Sequence, residues 1–178
     1  MLEVPHNLVP TTADWPNHAP GANWLERVEW CWMRFDELRP ATLYAALQLR
    51  QQIFIVEQGV PYTDIDGRDL KASHLFCFFD GRLAGYLRTL PTDQFALGYA
   101  SFGRVVVHSR CRRLGIGRQL VARAISKLAE TEPGIPIKIS SQLYLRDFYA
   151  SFQFVAQGLS YIEDRIPHIA MIRPGDPN

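Results

Sequence analysis

The stretch "HSRCRRLGIGRQL", residues 108–120, lies between a β-rich run and an amphipathic run that begins at Ile116. Around the start of this predicted helix stand four arginines and two glycines: Arg110, Arg112, Arg113 and Arg118, with Gly115 and Gly117. Cations are disfavoured there, because the N-terminal end of a helix dipole is positive. The same end carries unpaired backbone N–H groups, which bind anions. Glycines let an anion approach the backbone and arginines supply forked donors, so the stretch predicts a polyanionic ligand such as a phosphate group.

The spacing of the glycines excludes two common phosphate-binding motifs. A Walker loop requires G-x-x-x-x-G-K-[ST], and no Lys-Ser or Lys-Thr follows these glycines. A dinucleotide fingerprint requires G-x-G-x-x-G, and Leu120 stands at the position of the third Gly. The pattern that remains is R-x-x-G-x-G, at Arg112, Gly115 and Gly117. Because this pattern is short, a tight turn with solvated arginines is the alternative interpretation.

The composition favours one globular domain without a global charge. The 178 residues are 47% hydrophobic and the formal net charge is +1. The chain can therefore bury a core, and it lacks the overall basic character of a nucleic-acid-binding domain. The three cysteines, Cys31, Cys77 and Cys111, are odd in number and widely spaced, which favours neither a disulfide framework nor a zinc site. No apolar run could span a bilayer and no secretory signal is recognisable, so we expect a reduced, cytoplasmic compartment.

The periodicity predicts an α+β chain with a mixed sheet. Residues 1–26 are proline-rich and are expected to form an N-terminal arm, and residues 27–178 a single domain. Strands are expected at 28–35, 74–79, 83–90, 96–108 and 137–140 and in the final segments "FVAQG" and "HIAMI", with a hairpin turn at Asp80-Gly81. Helices are expected from Pro40, with an apolar stripe that Arg50 interrupts, and over 116–128 and 144–152; residues 59–70 form a loop. The strand–helix–strand order around residues 96–140 predicts parallel neighbours.

The motifs of this sequence, taken in order, resemble those of a known protein family. Preceded by the strand "VVVH", the R-x-x-G-x-G turn looks like the acetyl-coenzyme A (acetyl-CoA) turn of the GNAT N-acetyltransferases. The run "QLYLRDFYASFQF", residues 142–154, resembles their second signature, N-x-x-A-x-x-F-Y-x-x-x-G-F, with matches at Phe148, Tyr149 and Phe154 and departures at Gln142, Leu145 and Gln153. "IFIVEQGVPYTDIDGRDL", "YLRTLP" and "IPHIAM" look like the ElaA-like branch. The resemblance implies the GNAT acyl-CoA N-acyltransferase fold, a central mixed β-sheet flanked by helices.

The resemblance also implies an activity and a donor site. The activity is transfer of an acetyl group from acetyl-CoA to a primary amine by direct attack in a ternary complex, with no metal. The backbone of Val105, Val106 and Val107 would pair with the pantetheine arm, and an N–H there would face the thioester oxygen. The turn residues would hold the pyrophosphate: Arg112, Arg113, Leu114, Gly115, Ile116, Gly117 and Arg118. Gln142, at the Asn position of the second signature, is expected to join the donor site.

Candidate catalytic residues follow from the same matched stretches. Tyr149 stands where the family usually has its acid, and a phenol suits a thiolate leaving group; the alternative is one more packed aromatic beside Phe148. Glu57 and His168 lie in the ElaA-like stretches and are the candidate bases, and His74 is a third. Taken singly, each of these three is more simply a structural or solvated side chain, and Glu57 and His168 gain weight from the matched stretches.

Two further features remain open. Asp64, Asp66 and Asp69 could hold a cationic acceptor, or their carboxylates could cap turns. Cys111 lies among arginines at a helix start, where the pKa of a thiol falls, so a covalent acetyl-cysteine route is an alternative to direct transfer.

Three functions are therefore weighed. The first is an acetyltransferase acting on a small-molecule or peptide amine. The second is a GNAT-fold module that binds acyl-CoA as a sensor or regulator without turnover. The third is a nucleic-acid module, against which the balanced charge argues. We expect no nucleic-acid or membrane partner, and a homodimer is compatible with the sequence.

Overall fold

The computed structural model describes residues 27–175, so the arm expected over residues 1–26 lies outside the described residues. The strands are β1 Val28–Arg34, β2 Ser73–Phe79, β3 Arg82–Leu90, β4 Ser101–Val107, β5 Ile137–Gln142, β6 Val155–Glu163 and β7 Ile166–Arg173. The helices are α1 Pro40–Arg50, α2 Ile116–Thr131 and α3 Arg146–Ala150. A π-helix, Gln51–Glu57, continues α1. The α+β class expected from the sequence is confirmed.

The first four strands form an antiparallel sheet in the order β1-β2-β3-β4. The β2–β3 turn lies at Asp80 and Gly81, whose φ angles of 48° and 71° are left-handed, as a tight Asp-Gly hairpin turn requires. Along β2, Leu75 and Cys77 belong to the core beneath α2, whereas Phe76 and Phe78 belong to the core beneath α1. The sheet is thus covered on both faces, which explains why β2 is a continuous apolar run.

The helix α2 buries the stripe that the sequence predicts. Its fully buried residues are Ile116, Leu120, Val121, Ala124 and Leu128. Removing one such side chain from water contributes about 1.5–3 kcal/mol, so the stripe fixes this helix on the sheet. The start of α2, and with it the arginine turn, is therefore held at the C-terminal end of β4.

The last three strands form a second antiparallel sheet in the order β5-β7-β6. The two sheets meet at one parallel bridge, between Ala100 and Ile137. The Ala100 N–H donates to the carbonyl of Pro136 (3.1 Å), and the Lys138 N–H donates to the Ala100 carbonyl (2.9 Å). Within residues 27–175, β4 and β5 make no further ladder pairs. The predicted parallel pairing is confirmed only at its start, and a gap opens between the two strands.

A bulge bends β4 along this gap. The register between β3 and β4 shifts between Tyr86 and Arg88, and Arg104 takes a left-handed φ of 54°. An extra residue in one strand bends that strand and increases its twist. The bulge therefore reorients the part of β4 that leads to the arginine turn.

Two elements differ from their predicted form. The buried face of α1 consists of Thr42, Ala45, Ala46, Leu49 and Arg50, while Leu43 and Leu47 are half-buried, so Arg50 belongs to the buried face and does not interrupt it. The strand expected over 96–108 begins only at Ser101, because residues 96–99 form a turn at Gly98 with a φ of 80°.

Candidate active site

A cavity of about 520 Å³ occupies the gap between β4 and β5. Its other walls are the π-helix, part of the loop over residues 59–70 and the turn between β6 and β7. It brings together predicted site residues from distant parts of the chain: Glu57, Val105, Val106, Val107, Arg112, Gln142, Tyr149 and His168. The rest of the predicted turn, residues 113–118, lies beyond this lining at the start of α2.

The turn before α2 has the geometry of an anion-binding loop. Arg113 and Gly115 have left-handed φ angles of 65° and 82°, and Leu114 and Ile116 pack into the core. Among the described residues, no backbone N–H from Leu114 to Arg118 donates to a backbone carbonyl. A series of free N–H groups in such a turn, at the positive end of a 16-residue helix, attracts an anion.

The arginines of the turn do not all point to one place. Arg118 donates to Ser151 Oγ (3.0 Å) and lies over the ring of Phe152, so it leans on the segment after α3. Arg112 forms an ion pair with Glu57, 2.7 Å from one carboxylate oxygen. Arg113 is exposed. Arg112 and Arg118 are thus held by different partners.

The backbone of β4 turns hydrogen-bonding groups into the gap. The His108 N–H donates to the Ala84 carbonyl on β3 (2.8 Å). Because alternate residues of a strand face opposite edges, the N–H and C=O of Val107 point away from β3. Val106 pairs with Tyr86 of β3. The edge of β4 beside the cavity thus offers free backbone groups to an extended ligand.

Tyr149 lies at the inner wall of the cavity and is 7% exposed. Its ring contacts Phe102, Phe148 and Phe154, with centroids 5.1–6.2 Å apart. Within residues 27–175 its hydroxyl makes no hydrogen bond with another side chain or the backbone. Burial raises the pKa of Tyr149, and the nearby Tyr144 adds to this rise, so the phenol stays protonated. A protonated O–H without a protein acceptor is available to a ligand.

His168 has the tautomer that a base needs. Its Nδ1 lies 2.8 Å from the carbonyl oxygen of Ile166. A carbonyl only accepts, so Nδ1 carries the hydrogen and Nε2 of the neutral ring keeps its lone pair. The ring stacks on Tyr161, with centroids 6.3 Å apart and planes at 24°. This contact and the hydrogen bond fix the orientation of the imidazole.

Glu57 and Gln142 both link the end of the π-helix to other walls. The Glu57 carboxylate is held by Arg112, as described above. Gln142 Nε2 donates to Oε1 of Gln58 (3.2 Å) across the cavity entrance. Glu57 is therefore engaged with a cation of the donor turn, which weakens its case as a base relative to His168.

Arginines hold the acidic loop from inside the protein. Arg50, 1% exposed, donates from Nε to Asp64 Oδ2 (2.9 Å) and from Nη1 to both oxygens of Asp69 (2.9 Å each). Arg104 donates from Nε to Asp64 Oδ1 (2.7 Å), which ties the bulge of β4 to the same loop. Of the two alternatives for Asp64, the one in which it holds a substrate cation is wrong, since its carboxylate is already paired with two guanidinium groups.

The second half of this network lies against β3. Arg88 donates to Asp69 Oδ1 (2.9 Å) and forms two contacts with the carboxylate of Asp66. Asp66 also accepts from the Arg68 N–H (3.1 Å), so the turn-capping alternative is correct for this residue. His74 is buried, donates from Nε2 to the Asp69 carbonyl (3.0 Å) and accepts from Tyr86 (2.8 Å). His74 is structural, and the network fixes one wall of the cavity.

Cys111 is not a reactive thiol. It is 1% exposed in the core beneath α2, and burial raises its pKa to about 12. The expectation of a lowered thiol pKa is wrong, because the side chain points into the protein and not towards the arginines. The covalent acetyl-cysteine route has no support at this position.

Sequence reasoning missed a polar group on the second sheet. Tyr161 and Ser140 hydroxyls lie 2.7 Å apart, and Ser140 donates to Glu163 Oε2 (2.6 Å). Ser140 and Glu163 line the cavity. The three residues come from two strands separated by β7, and no local pattern marks them. The pairing of β5 and β6 with β7 was needed to bring them together.

The part of the chain that the structure describes contains neither a metal-binding group nor a membrane-spanning helix. No group of three or more His, Cys, Asp or Glu side chains between residues 27 and 175 could hold a metal ion. No helix of that same part is long and apolar enough to cross a membrane.

Known proteins share this architecture. Residues 54–173 match the family model described as an acetyltransferase (GNAT) domain. Protein ElaA of Escherichia coli is 38% identical over 148 residues, covering 82% of this chain and 96% of that protein, and its crystal structure superposes with a TM-score of 0.77. An acyl-CoA N-acyltransferase from Pseudomonas aeruginosa is 39% identical, with a TM-score of 0.78, covering 82% of this chain and 99% of the other. With its open β4–β5 gap and arginine turn, the chain belongs to the GNAT acetyltransferase family, and it is ElaA-like.

Proposed function

We propose that this protein is an N-acetyltransferase that moves an acetyl group from acetyl-CoA to a primary amine by direct attack in a ternary complex. The observation that carries the proposal is the arrangement of hydrogen-bonding groups along the gap between β4 and β5. Free backbone groups of β4 line it, free N–H groups of the turn stand at one end, and the protonated Tyr149 hydroxyl lies at its inner wall. The acyl-CoA class of donor is also named for the similar P. aeruginosa protein.

The residues present fit a CoA-type donor. The N–H groups of residues 114–118 suit a pyrophosphate, and Arg112 and Arg113 add charge. A Cβ built on Gly117 would meet only Val107 Cγ2, at 3.8 Å, which is ordinary contact. The fold therefore does not itself require a glycine at this position, and the approach of a ligand supplies the reason. The Val107 N–H and C=O would pair with an extended pantetheine arm in the manner of an added strand.

The transfer needs a base, an oxyanion donor and an acid. Nε2 of His168 takes a proton from the acceptor ammonium, directly or through water, and the neutral nitrogen attacks the thioester carbon. A β4 N–H stabilises the oxygen as negative charge develops on it. The C–N bond forms, the C–S bond breaks and Tyr149 protonates the sulfur. The amine nitrogen loses two protons in all. His168 takes the first and releases it to solvent, and the second restores the Tyr149 hydroxyl.

Glu57 takes a different role in this scheme. Its carboxylate neutralises Arg112 at the cavity entrance, so a phosphate that binds the turn competes for the same guanidinium. Exposed ion pairs are worth about 0–1 kcal/mol, so this competition is not prohibitive. Glu57 remains the second candidate base, because a donor that draws Arg112 away leaves the carboxylate free beside the acceptor.

Thiol release with a panel of primary amines tests the proposal. Acetyl-CoA and longer acyl-CoA donors are compared at fixed amine, and the acetylated product is identified by mass. We expect amine-dependent thiol release that is fastest with the acetyl donor. Tight CoA binding without release from any amine would instead support the sensor function. Salt-sensitive binding of nucleic acid that CoA displaces would favour the third function.

A further inference from the structure

Tyr161, Ser140 and Glu163, on the second sheet, form a directed chain of hydrogen bonds. Ser140 has one hydroxyl hydrogen and donates it to Glu163 Oε2 (2.6 Å), so the Tyr161 hydroxyl is the donor in its 2.7 Å contact with Ser140. Ser140 thereby holds the carboxylate by one of its oxygens, and Tyr161 orients Ser140. Oε1 makes no hydrogen bond with the described residues and remains available at the cavity wall.

Glu163 differs in its charge balance from Glu57 and Asp66 of the lining, and Asp164 beside it adds a second carboxylate with no ion pair among the described residues. Asp66 is paired with Arg88 and Arg104, and Glu57 with Arg112. Within residues 27–175, Glu163 forms no ion pair with any Arg, Lys or His. This end of the cavity therefore carries an uncompensated negative charge and attracts a cation from solution.

The register of the second sheet gives the backbone spacing between Ser140, which holds this carboxylate, and the row that contains His168. Gln142, His168 and Tyr161 lie in one row across β5, β7 and β6. Ser140, which holds the carboxylate, is two residues before Gln142 on β5 and faces the same side. Two residues of a strand span roughly 7 Å. Ser140, and with it the carboxylate that it holds, is thus separated from the row of His168 by about the length of a short alkyl chain.

A carboxylate does not help the amine that reacts. A nearby negative charge favours the ammonium form of an amine, whereas attack requires the neutral form. The position of Glu163 suits a second ammonium that stays charged throughout the reaction. Ile166, which also lines the cavity, lies opposite Glu163 in the β6–β7 ladder and offers an apolar surface to the methylenes between the two nitrogens.

We infer that the acceptor is a linear aliphatic diamine, whose distal ammonium binds Glu163 while its other nitrogen is acetylated beside His168. This inference rests on the proposed acetyltransferase function and names its substrate class. One nitrogen becomes the amide and the other remains an ammonium, so the product is a monoacetylated monocation and the step is otherwise the transfer described above.

Matched amines test the inference. 1,5-Diaminopentane and n-pentylamine share one carbon chain and differ in the second ammonium, and 1,3-diaminopropane is too short to reach both groups. We expect wild-type kcat/KM for 1,5-diaminopentane to exceed that for n-pentylamine at least tenfold, mainly through KM. Glu163→Gln should reduce the preference to threefold or less while keeping kcat for n-pentylamine. Glu130→Gln, which removes an equal charge from the outer face of α2, should keep the full preference.

The outcomes distinguish failure of the diamine inference from failure of the proposed acetyltransferase function. Equal use of both five-carbon amines by wild type, or a preference that survives Glu163→Gln, overturns the diamine inference while acetyl transfer stands. A preference for 1,3-diaminopropane over 1,5-diaminopentane also overturns it, because the distance argument then fails. Absence of thiol release with every amine overturns the proposed function, and the inference with it.

Discussion

Glu57 and Arg112 are separated by 55 positions in the chain, yet their carboxylate and guanidinium lie 2.7 Å apart at the entrance to the cavity. One belongs to the end of the π-helix and the other to the turn before α2. The pair therefore joins the π-helix wall of the cavity to the segment expected to bind the donor.

Glu57→Gln should change donor affinity only slightly. The variant frees Arg112 for a phosphate, and an exposed ion pair of this kind contributes about 0–1 kcal/mol, so CoA should bind up to about fivefold more tightly. Isothermal titration measures this. If turnover falls more than about tenfold while CoA affinity is unchanged, Glu57 acts as the base and His168 does not.

His168→Gln should lower kcat by about 10²-fold or more, in the range typical of general base catalysis. The affinity for CoA should stay within about twofold. Steady-state kinetics and CoA titration of both proteins check the assignment; a kcat that is unchanged in the variant assigns the base to another group.

Tyr149→Phe should affect chemistry more than folding. The hydroxyl has no protein partner among the described residues, so its removal leaves the aromatic packing intact. General acid catalysis contributes about 10²–10⁴-fold, and kcat should fall in that range with little change in KM for acetyl-CoA. Steady-state kinetics and a thermal melt give both quantities. A fall of less than about threefold would make water the acid, or a step other than chemistry the slow one.

Gly117→Glu tests the turn. The side chain adds bulk and negative charge where the free N–H groups meet the ligand, while the fold tolerates a Cβ there. CoA affinity should drop more than tenfold, about 1.4 kcal/mol. Ala122→Glu places the same side chain on an exposed position of α2 and should bind CoA normally. Equal affinities of the two variants would remove the turn from the donor site.

Acid should weaken the arginine–aspartate network. Burial raises the pKa of Asp69, but the charges of Arg50 and Arg88 outweigh it, so the net shift is downward; for Asp66 the hydrogen bonds to Arg88 outweigh burial in the same way. A carboxylate with a lowered folded-state pKa stabilises the fold above its unfolded pKa of about 3.9 and loses this contribution as pH falls through the folded value. Urea midpoints should therefore decline steeply below about pH 4.

Arg50→Met provides the matched variant for that network. It leaves Asp64 and Asp69 buried with less compensation, and breaking a buried pair from one side costs about 3–5 kcal/mol. Urea unfolding at pH 7 measures the loss, and the acid dependence of the variant should be shallower than that of wild type. A loss below about 1 kcal/mol would mean that Arg88 and Arg104 suffice to hold the loop.

The sequence was sufficient where periodic burial governs the structure. The stripe of α2, the β2–β3 hairpin and the arginine turn each depend on residues within a short window. Arg50 could not be assigned, because its partners Asp64 and Asp69 lie 14 and 19 positions away in a loop. A charged residue on an apolar helix face looks like an interruption until its counter-ions are known.

The residues of the candidate site also divide into those that local sequence could predict and those that it could not. Tyr149 and the turn were found through local motifs, but the group of Ser140, Tyr161 and Glu163 exists only after β5 and β6 pair with β7. Cys111 was misjudged for a related reason. Its neighbours in sequence are arginines, whereas its neighbours in space are the apolar side chains beneath α2.

The free edge of Val107 bears on how long the protein survives in a cell. A donor bound along that edge would join two sheets whose ladders, within residues 27–175, share only the Ala100–Ile137 bridge. A ligand that binds the folded state stabilises it by about 2.7 kcal/mol at a hundred times its dissociation constant. Proteases act on transiently unfolded chains, and changes of 1–2 kcal/mol alter abundance several-fold. The cellular level of this protein should therefore rise and fall with the supply of its acyl donor.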